Sequence, residues 1–303
     1  MTAVLLLTAS FTVAEVVGGL LTGSLALLAD AGHMLSDNLS LGLALFAAWL
    51  AGRPATPERT FGYKRAEILA ALFNGVTLVA ISIWIFVEAY ARLHEPHEIL
   101  GNWMLAVAAL GLIVNAAGAV ILSRSAGDNL NAEGAFRHVV ADALGSVGVI
   151  VAALAIILTG WRYADPLVSV AIGLLILASS WSLLRDSTNI LLEATPRSID
   201  AGEVGNRMTS VEGVSEVHDL HIWTITSGFP ALSAHVLVGQ REDCHARRRD
   251  LERLLEREYG ISHTTLQVDH ASDHEGETHG PQFLPLGEKP ETRGSSLSTQ
   301  PNP

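Results

Sequence analysis

Residues 68–87 read ILAALFNGVTLVAISIWIFV, a run without a single charged side chain. A helix needs about 20 apolar residues to cross the hydrocarbon core of a bilayer, so this run predicts a membrane-spanning helix. Residues 103–122 form a second charge-free run and predict another. Four more apolar segments, three of them with embedded polar groups, bring the predicted helices to six: residues 3–21, 25–50, 136–158 and 166–184.

The charged residues are unevenly divided along the chain. Only 17% of the 303 residues are charged and 49% are hydrophobic, whereas soluble domains are nearer 25% charged. Residues 1–195 hold 23 Asp, Glu, Lys and Arg, and the remaining residues hold 27. We therefore predict a multi-pass α-helical membrane domain of six transmembrane helices at residues 1–194, followed by a soluble domain.

The net charge of −12 offers no basic surface for a nucleic acid, and that class of partner is excluded. The single cysteine, Cys244, excludes an intrachain disulfide. No Lys or Arg precedes residue 3, so the basic region of a signal peptide is missing. We expect no organic cofactor.

Basic residues in the short loops predict the orientation in the membrane, because Lys and Arg are retained on the cytoplasmic side. Arg92 and Arg162 lie on one side of the predicted helices. Eight lie on the other: Arg53, Arg59, Lys64, Arg65, Arg124, Arg137, Arg185 and Arg197. We therefore expect a protein of the cell's inner membrane with both termini in the cytoplasm.

The residues after Pro196 show the periodicities of a soluble domain. Helices are predicted at residues 200–210 and 242–259, and strands at 214–226, 231–238 and 264–268, with a turn at 227–230. This α-β-β-α-β order predicts a cytosolic α+β domain at residues 195–271, small enough to benefit from dimerisation. Residues 272–303, rich in Pro, Gly, Ser, Thr and acids, predict a disordered tail.

Two histidine–aspartate pairs lie inside the predicted spans, where each ionisable side chain costs at least about 2.5 kcal/mol. His33 and Asp37 lie in the second helix, and His138 and Asp142 in the fifth. A spacing of four puts each pair on one helical face. Two imidazoles and two carboxylates can form a tetrahedral ligand shell, which suits Zn²⁺. Co²⁺ and Cd²⁺ accept similar ligands. We predict that these four residues bind a metal ion.

Two features leave this interpretation incomplete. Asp30 lies a turn away on the face of His33 and is either an entry group for the site or a helix-start residue. On a 1.5 Å rise, His33 lies about 12 Å and Asp142 about 25 Å from the outer ends of their helices. The two pairs meet only if the helices are shifted or tilted.

At these residues the sequence resembles the cation diffusion facilitator family, in particular its zinc and cobalt-zinc-cadmium efflux branch. The resemblance covers about residues 3–270. It is carried by the two His-x-x-x-Asp pairs, by FGYKRAE at residues 61–67, and by DLHIW at 219–223 with LSAH at 232–235. It implies a homodimer of six-helix protomers in the lipid bilayer, each exchanging a cytosolic divalent metal for protons, with a ferredoxin-like, metallochaperone-like C-terminal domain.

The resemblance also maps regulatory metal ligands onto the C-terminal domain, at His218, His235, His263 and Asp269; the alternative is that they are ordinary surface residues. Many relatives bind a second metal through a histidine in the loop between helices 2 and 3, where this chain has Lys64, so we predict that this site is absent. His33 favours zinc over iron or manganese, because relatives that handle those ions often carry Asp there.

These observations lead to one main hypothesis, export of divalent metal ions from the cytoplasm by proton-coupled antiport. The ligands must be neutral imidazole and ionised carboxylate, so metal and protons compete for them. An intramembrane zinc-dependent hydrolase is an alternative, although no His-Glu-x-x-His is present. A proton or monovalent-cation transporter that uses the same residues as a relay is the other.

Overall fold

The charge-poor first part of the chain forms six helices, one for each predicted segment. Five of them have an apolar stretch long enough to cross a membrane, and the first has a shorter apolar stretch, Thr8–Thr22. The predicted multi-pass α-helical membrane fold is confirmed. The helices are α1 Thr2–Thr22, α2 Leu25–Ala51, α3 Ala66–His94, α4 Gly101–Ser123, α5 Leu130–Thr159 and α6 Ala164–Leu191.

The structure is a computed structural model that describes residues 2–95, 97–123, 130–271 and 283–284. The chain divides into two compact units, Met1–Thr188 and Asn189–Pro303, a few residues before the predicted domain boundary. Except for residues 283–284, the predicted tail at 272–303 lies outside the described residues.

Helix α2 is placed between α1, α3 and α5, all of which it contacts. Small buried side chains, including Ala29 of α2 and Ala152 of α5, let the helices of this unit approach closely. At Gly145 of α5 an added Cβ would lie only 2.9 Å from Asp30 Oδ1 of α2. The close approach brings the predicted site residues of α2 toward those of α5.

The start of α2 is fixed by a buried carboxylate of another helix. Asp165 of α6 accepts hydrogen bonds from Ser24 Oγ at 2.6 Å, from Leu25 N at 2.9 Å and from Ala26 N at 3.2 Å. A helix leaves its first N–H groups unpaired, and here a side chain from α6 pairs them. Arg92 of α3 lies 3.6 Å from the same carboxylate.

The second unit has the predicted α-β-β-α-β order, confirming an α+β domain. Its strands form one sheet in the order β1-β2-β3, with β1 and β2 antiparallel and β2 and β3 parallel. The parallel pair requires a crossover, which α8 provides. β2 begins two residues earlier than predicted. The elements are α7 Ala201–Thr209, β1 Val214–Thr226, β2 Phe229–Val238, α8 Cys244–Tyr259 and β3 His263–His270.

The core of this unit lies between the sheet and the two helices. Val204 and Met208 of α7 and Leu251 and Leu255 of α8 are fully buried against the sheet. Each helix therefore presents one apolar stripe to one face of the sheet, the arrangement of a two-layer α+β domain.

Candidate metal centres

Three of the four predicted transport-site residues come together between α2 and α5. His33, Asp37 and Asp142 each offer a ligand atom within 4.8 Å of the other two. His33 Nε2 lies 3.6 Å from Asp37 Oδ2 and 3.8 Å from Asp142 Oδ1. Asp142 is 6% exposed, whereas His33 and Asp37 are about a quarter exposed. One side of the cluster is therefore buried and the other is open.

The sequence predicts different depths for His33 and Asp142, but their side chains meet in the structure. His33 is eight residues from the start of α2 and Asp142 is 17 from the end of α5. Because the two side chains nonetheless meet, the start of α2 and the end of α5 must be offset by about 13 Å along the helix axes. The helices are staggered, which the sequence alone does not reveal.

His138, the fourth predicted ligand, lies on α5 four residues before Asp142. Its side chain lies outside the described residues. The helical spacing puts it on the face of α5 that carries Asp142. The described cluster therefore has one nitrogen and two oxygen ligands, with a helix position for the second nitrogen.

Two buried acids lie beside this cluster. Asp30 of α2 is 3.5 Å from Ser146 Oγ of α5, and Glu15 of α1 lies next to Asp30. Both are almost fully inaccessible to solvent. Asp30 is therefore a buried group that packs against α5. It is not a helix-start residue, because α2 begins at Leu25.

Two ligand separations in the cluster are close to those of a tetrahedral metal site. Ligands at about 2.0–2.1 Å from a Zn²⁺ ion are separated from one another by about 3.3 Å. The observed separations of 3.6 and 3.8 Å need to contract by only a few tenths of an ångström. Two carboxylates supply the negative charge that offsets a divalent ion in a medium where bare charge is costly.

A second cluster of ligand atoms lies in the α+β unit. His218, Asp219 and His235 each offer one within 4.8 Å of the others. His218 and His235 are register partners on β1 and β2, with ring centroids 5.4 Å apart. His235 Nδ1 lies 3.6 Å from Asp219 Oδ2, and His218 Nδ1 lies 2.9 Å from Glu216 Oε1.

The structure does not bring His263 and Asp269 to this cluster. The register partner of His235 on β3 is Gln267, and His263 lies four residues earlier, about 13 Å away along the strand. Its ring packs against Phe229 instead. Asp269 accepts a hydrogen bond from Gln267 Nε2 at 2.8 Å.

Asp219 takes the third position in the cluster, and the sequence analysis did not single it out. Its φ is 51°, in the left-handed region, and β1 has a bulge between His218 and His221. The extra residue re-aims the side chain toward β2. Asp tolerates this backbone conformation better than most residues, which is the one local signal for the bulge.

Comparison with known proteins gives matches over most of the chain. A family model described as a cation efflux transmembrane domain matches residues 1–192. A second, described as the cytoplasmic domain of a cation efflux protein, matches residues 196–271.

Several curated proteins are similar along most of their length. The chain is 46% identical to the cadmium, cobalt and zinc/H(+)-K(+) antiporter of Bacillus subtilis, over 86% of this chain and 85% of that protein. It is 44% identical to the metal cation efflux system protein CzcD of Cupriavidus metallidurans, over 88% and 84%. It is 43% identical to the zinc transporter ZitB of Escherichia coli, over 90% and 87%.

A solved structure is also similar to part of the chain. It is the metal-bound C-terminal domain of the CzcD transporter of C. metallidurans, which is 32% identical. The match covers 99% of that domain and 23% of this chain, with a TM-score of 0.23.

Proposed function

The chain belongs to the cation diffusion facilitator family, and from that membership we propose that it exports divalent metal ions from the cytoplasm in exchange for protons. Zn²⁺ is the preferred substrate, with Co²⁺ and Cd²⁺ as further substrates. The name of the Bacillus subtilis relative includes cadmium, cobalt, zinc, protons and potassium, that of the Escherichia coli relative includes zinc, and CzcD is named for metal cation efflux. The family consists of metal transporters, so the chain is a transporter and the intramembrane hydrolase is ruled out.

The observation that carries the proposal is the convergence of His33, Asp37 and Asp142 inside the membrane unit. Ionisable groups at this depth are costly unless they pair or bind an ion. A metal ion shared by all three, with His138 as the fourth ligand, accounts for their convergence better than a proton relay does. A relay needs hydrogen-bonded contacts in series and does not require three ligand atoms around one point.

The proposed mechanism is competition between metal and protons for the same ligands. Metal binding requires neutral imidazole and ionised carboxylate, so an arriving ion displaces protons. When the site opens toward the proton-rich side, protonation of the ligands releases the metal. Alternating exposure of one site therefore couples metal export to proton import.

The α+β unit has a separate role in this proposal. His218, Asp219 and His235 bind a cytosolic divalent ion that regulates transport, and the unit joins two protomers into a homodimer. The similarity to a cation efflux cytoplasmic domain supports this placement. The membrane is the cell's inner membrane, and both termini lie in the cytoplasm.

The test is zinc-driven proton movement in proteoliposomes that contain the purified full chain. Asp142→Ala removes a buried ligand, and we expect it to abolish both zinc uptake and the accompanying proton flux. Asp186→Ala, which removes a partly exposed aspartate of α6, is the matched control and should retain both. Zinc-coupled proton flux in the Asp142→Ala protein equal to that of the wild type would refute the site.

Equilibrium zinc binding separates the proposal from the relay. The detergent-solubilised wild-type protein should bind zinc at the membrane site, and His33→Ala should weaken that binding. A relay predicts proton transport without such binding.

A further inference from the structure

The edge strand β1 is paired outside the sheet with a residue far along the chain. β1 is an edge strand in the order β1-β2-β3. The N–H of Val217 donates to the carbonyl oxygen of Phe283 at 3.0 Å, and the N–H of Phe283 donates to that of Val217 at 2.8 Å. The two residues form an antiparallel bridge. Phe283 therefore adds to β1 as a further strand would.

The Phe283 side chain packs against the core of the α+β unit beside Gly205 of α7. A Cβ added to Gly205 would lie 2.5 Å from Phe283 Cγ and from its Cδ2. Only a residue without a side chain leaves room for the ring. Glycine is unfavourable inside a helix, so its presence in this nine-residue helix has a packing reason.

We infer that Gly205 and the edge of β1 at Val217 form a docking slot for an aromatic residue on an extended peptide, and that its occupant is Phe283 of the same chain. The backbone bridge fixes the register of the peptide, and the space beside Gly205 selects an aromatic side chain. This is strand addition with one specificity pocket.

The chain is long enough to fill its own slot. Ala271 N donates to Val238 O at the end of β3, and Val238 is the register partner of Val214 on β1. The path from Ala271 to the slot therefore crosses about three strand spacings of the sheet, roughly 14 Å, and runs about 10 Å along β1. The twelve residues from Ala271 to Phe283 can reach about 40 Å.

The slot lies inside the region that matches the family model, whereas its occupant lies outside that region. Gly205 and Val217 lie within the cytoplasmic-domain match, which ends at residue 271, whereas Phe283 lies beyond it. Docking is therefore a property that the C-terminal extension adds to the domain. It covers an edge whose free N–H and C=O groups would otherwise recruit strands of other molecules.

Hydrogen exchange followed by mass spectrometry on the full chain in detergent tests the slot. The Val217 amide should be protected in the wild type, and Phe283→Ala should accelerate its exchange on the order of tenfold or more. Gly205→Ala should do the same, because its methyl group displaces the ring although alanine favours the helix. Leu284→Ala, a matched truncation one residue further on, should leave Val217 protected.

Three results would overturn the inference. The first is equal exchange of Val217 in the wild type and in both slot variants. The second is a general loss of protection in β2 and β3 with Gly205→Ala, which would make the ring an ordinary part of the core. The third is protection of Val217 that falls as the protein is diluted, which would assign the occupant to a second copy. If Phe283→Ala fails to fold, Gly205→Ala still tests the slot, and a loss of protection confined to Val217 in that variant supports it.

Discussion

His33 brings a nitrogen ligand to a cluster whose other described members are carboxylates. Imidazole suits Zn²⁺, whereas an all-oxygen set suits harder ions such as Mn²⁺. His33 Nε2 faces both Asp37 and Asp142 at less than 4 Å, so its replacement changes the ligand chemistry without moving a helix.

We predict that His33→Asp lowers zinc transport and raises manganese transport relative to zinc. The loss of zinc transport should be at least about tenfold, since even groups that only support a metal ligand are worth 10–100-fold. Uptake of the two ions into inside-out vesicles, measured separately and in competition, provides the ratio. His97→Asp, in the loop before α4, should leave it unchanged; an unchanged ratio in His33→Asp would remove His33 from the ligand set.

Asp219 and Asp269 are the two positions at which the cluster in the structure differs most clearly from the ligand set that the resemblance predicts. Asp219 lies beside His235, whereas Asp269 pairs with Gln267 on the outer strand. The bulge that turns Asp219 toward β2 is a backbone feature, and its one local signal, an aspartate that tolerates the left-handed conformation, is too weak to predict it.

We predict that Asp219→Asn weakens zinc binding by the α+β unit, because it removes a charge that faces the metal but keeps a residue that tolerates the backbone. Asp269→Asn should have no such effect. The measurement is zinc titration of the full chain carrying Asp142→Ala, which silences the membrane site. Weaker binding with Asp269→Asn alone would favour the ligand set predicted from the resemblance.

At the scale of the helices, the start of α2 depends on Asp165. Its carboxylate accepts three hydrogen bonds from Ser24, Leu25 and Ala26, and faces Arg92, all within a buried environment. The same helix carries His33 and Asp37 further along. Removing the carboxylate leaves helix N–H groups without their acceptor, and it takes away one of the two carboxylates that face the largely buried Arg92 guanidinium.

We predict that Asp165→Ala destabilises the membrane unit by on the order of 3 kcal/mol, as expected when one partner of a buried ion pair is lost. Asp165→Asn keeps an acceptor without the charge and should lie between the wild type and the alanine variant. The measurement is thermal unfolding in detergent. Asp186→Ala should melt with the wild type, and the same midpoint for Asp165→Ala would show that the cap contributes little.

The elements themselves could be predicted because they depend on local patterns. The charge-free runs at 68–87 and 103–122 lie within α3 and α4, and the alternation in residues 214–226 matches β1. What could not be predicted depends on contacts between distant residues. Asp165 and Ser24 are 141 residues apart, and Phe283, which pairs with Val217, lies in a sequence segment without apolar periodicity. Similarly, the stagger of α2 and α5 follows from packing that no single helix encodes.

At the scale of the whole molecule, the proposed orientation in the membrane rests on the distribution of positive charge. Arg92, one of the two basic residues predicted on the outer side, is bound to Glu88 and lies next to Asp165. It is therefore part of the packed unit and not a free loop charge. Arg92 therefore no longer counts against the excess of Lys and Arg in the loop between α2 and α3, and this excess supports the proposed orientation.

The single cysteine makes this orientation directly measurable. Cys244 is partly exposed at the start of α8, and no other thiol competes for a label. We predict that a membrane-impermeant maleimide labels it in inside-out vesicles and not in intact cells. Cys244→Ser with Arg162→Cys moves the thiol to the loop between α5 and α6 and should reverse the pattern. Labelling of Cys244 in intact cells, with Arg162→Cys labelled only in inverted vesicles, would mean that the chain has the opposite orientation and that the proposed direction of transport must be reversed.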